Sequence, residues 1–350
     1  MPGIDPNSIF RKAFEMNASD VHIAEGKPII FRVEGDLTPA SSGIATAEDV
    51  TDIVREVLGV HYDRFQKERE VDVSYVVDQS LRLRVNCHFE RGFPGMVARL
   101  IPTQVPTLTE VGLTGIAEKF CRLHEGLILL TGPTGAGKST SMAAMIDKIL
   151  REQTVHIITL EDPVEFLFDR GGSGLVRQRQ YGEDFTSFGE ALRRVLRQDP
   201  DVVMVGEMRD LETIRTTLTL AETGHLVFAT LHTPNAAQTI GRIIDVFPPH
   251  QQPQIRSQLS LSLKVIIAQR LIPDVHDKLI PLREVLINTR AVANIIRDNR
   301  VHELPSVLQM GGEEGMMTFD KEAKRLLDSG VITEETYTET LGIIRLMDDK

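Results

Sequence analysis

Gly132-Pro133-Thr134-Gly135-Ala136-Gly137-Lys138-Ser139, followed by Thr140, fills every fixed position of the G-x-x-x-x-G-K-[ST] phosphate loop. Just before it, Leu127-Ile128-Leu129-Leu130 is an apolar run that reads as a buried strand. Just after it, Met142, Met145, Ile146 and Ile149 recur at the spacing of a helix face. Strand, loop and helix in that order are the setting the motif requires. Glycines at 132, 135 and 137 let the backbone curl so that its N–H groups converge on phosphate oxygens, and the helix N-terminus adds partial positive charge. Lys138 then places a cation near the β- and γ-phosphates, and the Ser139 hydroxyl is a ligand for Mg²⁺. The stretch predicts an α/β nucleotide-binding fold.

Working outward, the 350 residues exceed the ~250–300 at which single cores stop growing, so two domains are expected. A formal charge of −11 argues against a protein built mainly to grip nucleic acid, without excluding a local basic groove. Cys87 and Cys121 lie far apart with no C-x-x-C spacing, which suggests packed thiols in a reducing compartment, not a zinc site or a disulfide. No stretch approaches the ~18 uninterrupted apolar residues of a membrane span. The first twenty residues lack the apolar centre of a signal peptide. These features predict a cytosolic protein that reaches a membrane through partners.

Residues 1–101 read as a small α/β module: a helix over 8–16, strands over 20–24 and 29–33, helices over 47–58 and 62–68, then strands over 72–77, 81–89 and 96–101. Turn signals stand at Asp78-Gln79-Ser80 and Gly92-Phe93-Pro94-Gly95. Pro102-Thr103-Gln104-Val105-Pro106-Thr107 carries two prolines and no apolar periodicity, and marks a linker over 102–113. From 114 to 272 strands and helices alternate, which predicts a parallel sheet flanked by helices. The pattern from 251 onward is mostly helical, with one strand at 282–287.

Carboxylates cluster where such a sheet binds ligands, at the carboxyl ends of its strands. Asp201-Val202-Val203-Met204-Val205-Gly206-Glu207 is an apolar strand ending in Glu207, placed to hold Mg²⁺ or to polarise a water. Glu161-Asp162-Pro163-Val164-Glu165 ends the strand at 156–160. Hydrolysis of a phosphoanhydride needs a positioned water with a base or orienting group. Spacing alone does not choose among Glu161, Glu165 and Glu207, and Asp162 reads equally well as a turn cap. His225 and His232 bracket the strand Leu226-Val227-Phe228-Ala229-Thr230-Leu231, where a polar group can sense a γ-phosphate. A structural role for each is about as well supported.

Four blocks in this order resemble the ATPase superfamily of type II secretion and type IV pilus motors. They are the phosphate loop, LEDPVE from Leu160, VGEMRDLET from Val205, and TGHLVFATLHT from Thr223. The likeness is greatest to pilus-retraction ATPases of the PilT/PilU type. ASDVHI from Ala18, RLIP from Arg270, AVANIIRDNRVHEL from Ala291 and GMMTFDKEAKRLL from Gly315 extend it over nearly the whole chain. The resemblance implies a PAS-like α/β domain over 1–101, a linker over 102–113, a RecA-like ATPase core over 114–272 and a mostly helical region over 273–350. It implies ATP and Mg²⁺ bound by residues 132–140, with Glu207 as the Walker B acid. Glu165 becomes the glutamate that activates water, Glu161 and Asp162 support it, and His225 and His232 sense the γ-phosphate or couple sites.

The same resemblance implies a homo-hexamer in which Arg84, Arg91 and Arg99 of one subunit reach a neighbour's ATP. It further implies peripheral docking at the inner membrane through a pilus platform protein, with no nucleic acid partner. Extension and secretion motors usually carry a tetracysteine zinc module and a longer N-terminal region. This sequence has neither, which favours the retraction branch. AVANIIRDN departs from the usual AIRNLIRE wording, and the ending around Phe319 and Asp320 leans toward the PilU side. A nucleic-acid translocase on the same core has one local feature in its favour, the basic run Val176-Arg177-Gln178-Arg179-Gln180. Overall acidity and the scarcity of stacking aromatics beyond Tyr181 weigh against it.

Overall fold

A computed structural model describes residues 5–348 apart from 34, 41–42, 79–80, 102–103 and 169–173. The chain forms two compact units, Met1–Gln104 with Glu165–Leu167, and Val105–Val164 with Phe168–Lys350. Part of the turn expected at residues 78–80 and the first two linker residues, Pro102 and Thr103, lie outside the described residues.

The first unit holds α1 (Pro6–Glu15), β1 (Ala18–Ala24), β2 (Ile30–Val33), β3 (Asp36–Pro39), α2 (Ala47–Leu58), α3 (Tyr62–Glu68), β4 (Glu70–Asp78), β5 (Leu81–Glu90) and β6 (Phe93–Ile101). Local chemistry starts its helices. Asp5 accepts from Asn7 N–H ahead of Pro6, and Thr46 and Asp49 form a reciprocal capping box. The strands make an antiparallel sheet in the order β3-β2-β1-β6-β5-β4. On β5, Leu81, Leu83, Val85 and Cys87 turn into the core while Arg82, Arg84, Asn86 and His88 take the opposite face. That alternation is the signature of a sheet with one face covered. Phe10, Phe31 and Phe65 fill the space between sheet and helices.

Two local differences from the sequence reading have clear causes. The turn expected over 92–95 narrows to Arg91 and Gly92, both with positive φ (52° and 91°). Such a two-residue turn matches the right-handed twist of its strands, so Phe93, Pro94 and Gly95 are free to pair with β5. Strand β3 leaves no mark in the sequence pattern, because all four of its residues are exposed and no burial alternation distinguishes it.

The second unit runs α4 (Ile116–Cys121), β7 (Gly126–Thr131), α5 (Lys138–Glu152), β8 (His156–Glu161), β9 (Leu175–Gln180), α6 (Phe188–Val195), β10 (Val202–Val205), α7 (Leu211–Glu222) and β11 (Leu226–Leu231). It continues with α8 (Ala236–Asp245), α9 (Gln252–Ser262), β12 (Leu263–Pro273), β13 (Leu279–Ile287), α10 (Arg290–Arg297), α11 (Leu304–Met310), α12 (Phe319–Asp328) and α13 (Glu334–Asp348). Among the described residues its sheet has seven strands in the order β13-β12-β7-β11-β10-β8-β9, parallel except for β13. Every residue of β7, β10 and β11 is buried, as parallel strands covered on both faces require.

Strand β12 falls where the sequence pattern read as helix. Helix α9 passes into it with no loop, Leu263 closing the helix in an extended conformation. No turn residue therefore marks the boundary, and Val265-Ile266-Ile267-Ala268 is buried without alternation between β7 and β13. The basic run at 176–180 is the edge strand β9, where Arg179 donates to the Asp184 carbonyl and stacks over Phe185. Charged residues on an exposed edge guard it against pairing with other chains, a sufficient reason for their presence. Both cysteines are buried thiols, and burial pushes each pKa up to about 12, which keeps them protonated and inert. Among the described residues no helix is long and apolar enough to cross a membrane.

Candidate active site

The phosphate loop leaves the carboxyl end of β7 and runs into α5, whose N-cap is Gly137 in the left-handed region (φ 75°). Gln269 of β12 supports the loop from beneath. A Cβ at Gly132 (φ 139°) would overlap the Gln269 carbonyl oxygen, and one at Gly137 would sit 2.9 Å from its Nε2. The Gln269 amide donates to the Ala136 carbonyl (2.6 Å), so the loop has a fixed floor. Gly132→Ala is expected to destabilise the protein by about 1–3 kcal/mol, the usual cost of forced overpacking, before nucleotide is considered. A shift in the thermal unfolding midpoint measures it; an unchanged midpoint would show that the floor yields.

Gln269 is itself held. Arg283 stands directly opposite on β13 and donates to Gln269 Oε1 at 2.7 Å. Its other nitrogens reach the Val111 and Gly112 carbonyls and the Ser141 hydroxyl on α5. Burial pushes this guanidinium down to about 10, so its charge rests on those neutral acceptors. Neither Gln269 nor Arg283 is marked by any motif. Their pairing comes from strand register, which sequence spacing does not display.

Four strand ends place polar side chains beside the loop. Lys138 Nζ donates to the carbonyls of Gly132 (2.8 Å) and Pro133 (2.9 Å) and lies 3.5 Å from His232 Nδ1. The other ring nitrogen of His232, Nε2, faces Glu207 Oε1 at 3.1 Å. Arg209 Nε donates to Glu207 Oε2 at 2.9 Å, and its Nη1 lies 3.6 Å from Asp162 Oδ2. The hydrogen bond to Glu207 raises the Arg209 pKa. A single polar chain thus joins the ends of β7, β11, β10 and β8: Lys138, His232, Glu207, Arg209, Asp162. Arg209 was not anticipated; its position two residues after Glu207 was the available signal.

Other expected residues sit elsewhere. Glu161 is buried at the end of β8, where Thr159 and Gln178 donate to it, so its carboxylate is committed to internal bonds. His225 stands at the opposite end of β11 from His232, with Nδ1 3.1 Å from the Leu220 carbonyl. Seven residue steps at ~3.3 Å each separate the two histidines by about 23 Å, so this chain does not bring His225 to its own phosphate loop. Glu165 groups with the first unit, is exposed, and makes no hydrogen bond or ion pair among the described residues. Within the first unit Arg84 and Arg99 are register partners, and Arg91 lies in the β5–β6 turn. Arg99 is engaged by Asp20 at 2.8 Å, whereas Arg84 and Arg91 are exposed and make no such pair among the described residues.

For a cation, Ser139 and Glu207 offer a hydroxyl and a carboxylate, the oxygen donors Mg²⁺ takes, and the donor set fits. Among the described residues no group of three or more His, Cys, Asp or Glu is arranged to hold a metal. Protein ligands here would therefore share a cation with phosphate and water, which is how Mg²⁺ is usually held in nucleotide sites.

A phosphate loop on a RecA-like sheet, with an acid, a histidine and an arginine linked at the neighbouring strand ends, defines a P-loop ATPase. The family model described as "Type II/IV secretion system protein" matches residues 4–297, and the chain belongs to that family. It is 40% identical over 341 residues to the type IV pilus retraction ATPase PilT of Pseudomonas aeruginosa, covering 97% of this chain and 99% of that one. It is 39% identical over 344 residues to the type IV pilus ATPase PilU of the same organism, covering 97% and 90%. A crystal structure of the pilus retraction motor PilT with bound ADP superposes with a TM-score of 0.90 at 39% identity, covering 96% of this chain and 97% of that one. The protein is an ATPase of the pilus-retraction group.

Proposed function

We propose that this ATPase works in the cytoplasm as a homo-hexamer that drives retraction of type IV pili, acting through a platform protein of the inner membrane. The polar chain from Lys138 through His232 and Glu207 to Arg209 and Asp162 carries the reading, because it joins the phosphate loop to the acids at neighbouring strand ends. Residues 132–140 cradle the ATP phosphates. Ser139 and Glu207 hold Mg²⁺, which neutralises charge on the phosphate oxygens. Glu165 takes the proton of the attacking water or orients it, and Asp162 with Glu161 supports that corner of the site. His232 lies between the loop lysine and Glu207, so a change in the lysine's partner on arrival of a γ-phosphate reaches Glu207 through the imidazole. His225 serves as a contact between sites, not within one.

Arg84 and Arg91, which make no ion pair among the described residues, are the arginines offered to a neighbouring subunit's ATP, with Arg99 held by Asp20. A trans arginine of this kind is worth ~10³–10⁵ in rate in other phosphoryl-transfer enzymes. In this reading residues 1–101 form the domain that moves, 102–113 the linker with its hinge over 103–107, 114–272 the ATPase core, and 273–350 a trailing region. Hydrolysis becomes motion as the two rigid parts shift about the hinge.

The test is deletion of the gene in its own host, together with ATPase activity and solution mass of the purified chain. Excess surface pili, lost twitching motility and a hexamer that hydrolyses ATP without regard to DNA are the expected results. Cells without pili would reassign the motor to assembly. Strong stimulation by DNA would make it a translocase.

A further inference from the structure

Arg283 is buried, yet among the described residues it makes no ion pair, and its hydrogen bonds go to neutral groups of the second unit. Bonds from a charged donor are stronger than neutral ones, so the groups that accept them are held firmly. Two sets of acceptors meet on this one side chain. Toward the phosphate loop, Arg283 donates to Gln269 Oε1, and the Ser141 hydroxyl donates to the same oxygen at 2.8 Å. With two donors on Oε1, the amide has a single orientation, and Nε2 is the end that faces the Ala136 carbonyl. The peptide from Ala136 to Gly137 is trans, so its N–H points away from its carbonyl. Gln269 thereby turns the Gly137 N–H away from β12 and toward the phosphates. Toward the linker, Arg283 donates to the Gly112 carbonyl at 2.9 Å and to the Val111 carbonyl. Those carbonyls end a turn closed by its own bonds. Val111 N–H donates to the Thr107 carbonyl, Leu113 N–H donates to the Leu108 carbonyl, and the Glu110 carboxylate accepts from Thr107 N–H and hydroxyl. Residues 107–113 therefore shift as one piece.

Resting on the reading of residues 132–140 as an ATP site and of 102–113 as the linker, we propose that Arg283 is a positioning residue that couples occupancy of the phosphate loop to the turn at 107–113. The route runs from the Ala136–Gly137 peptide through the Gln269 amide and the Arg283 guanidinium to the Val111 and Gly112 carbonyls. A phosphate that accepts from the Gly137 N–H orders that peptide, and the peptide orders Gln269. The guanidinium is planar, so fixing its Nε on Gln269 also fixes where Nη1 and Nη2 point. The turn that accepts from those nitrogens is then ordered in its turn. Such a coupling is reciprocal: displacing the turn loosens Gln269 and with it the loop's hold on phosphate.

Amide exchange of the full chain, with and without saturating ADP and Mg²⁺, tests the coupling. In the wild-type chain ADP is expected to slow exchange over 132–141 and also over 107–113, the latter at least about fivefold, the change that one net hydrogen bond makes. Arg283→Lys keeps the charge and loses the planar fork. Gln269→Glu keeps an acceptor for Arg283 and sets its second oxygen against the Ala136 carbonyl. In both variants ADP is expected to slow exchange over 132–141 and to leave exchange over 107–113 nearly unchanged. A merely structural Arg283 would behave differently: exchange over 107–113 would rise by the same factor with and without ADP, and the ligand response would survive. That result overturns the proposal. So does a wild-type chain in which ADP slows exchange over 132–141 and not over 107–113, an outcome that needs no variant and leaves the ATP site in place. Failure of ADP to slow exchange over 132–141 in the wild-type chain would overturn the reading of the ATP site and the coupling together.

Discussion

Lys138→Ala is expected to lower ATP turnover by at least about 10²-fold, the scale of losing one preorganised charge in a catalytic site. The ammonium rests on the Gly132 and Pro133 carbonyls and stands 3.5 Å from His232 Nδ1. Bonds from an ammonium to phosphate oxygen are stronger than bonds to neutral carbonyls, so a nucleotide competes successfully for it. Moving the lysine changes what His232 Nδ1 faces, and the ring is already bonded through Nε2 to Glu207. Truncation at 138 removes both the phosphate contact and this link. Turnover of the purified variant, with ADP affinity measured alongside, gives the result. Wild-type turnover would show that the loop lysine is dispensable and that the site was misread.

Glu165→Gln separates binding from chemistry. It is expected to keep wild-type ATP affinity while lowering kcat by about 10²–10⁴-fold, the usual contribution of a general base. The structure distinguishes the three glutamates by how they are engaged. Glu161 is buried and accepts from Thr159 and Gln178, and Glu207 is held by Arg209 and His232. Glu165 is exposed and makes no hydrogen bond or ion pair among the described residues, so its carboxylate is available to a water. Glutamine keeps the shape and loses the capacity to take a proton. Single-turnover hydrolysis with pre-bound ATP is the measurement. If Glu165→Gln hydrolyses normally, Glu165 is not the base.

Much of the architecture was legible because it is written in local pattern. The phosphate loop between an apolar run and a periodic helix, the buried strands at 202–205 and 226–231, and helices α2 and α3 at their observed bounds all follow from neighbours in sequence. Strands that lack a local mark were missed. β12 has no turn before it, β3 is exposed throughout, and β9 is charged. At the site, motif spacing nominated Lys138, Glu207 and His232, whose side chains lie together beside the loop, and it left His225 indistinguishable from His232. Strand direction separates them, since the loop follows the carboxyl end of β7 and His225 lies at the amino end of its parallel neighbour.

The class of chemistry is local: a glycine-rich turn at a strand end before a helix binds phosphate in any chain that folds around it, because backbone amides and the helix terminus do the binding. Which side chains meet depends instead on the three-dimensional fold. Gln269 reaches under the loop and Arg283 reaches Gln269 because β12 pairs with β7 on one side and β13 on the other. Arg209 meets Asp162 because β10 lies beside β8. These contacts join residues far apart in the chain, and only the register of paired strands brings them within hydrogen-bonding distance.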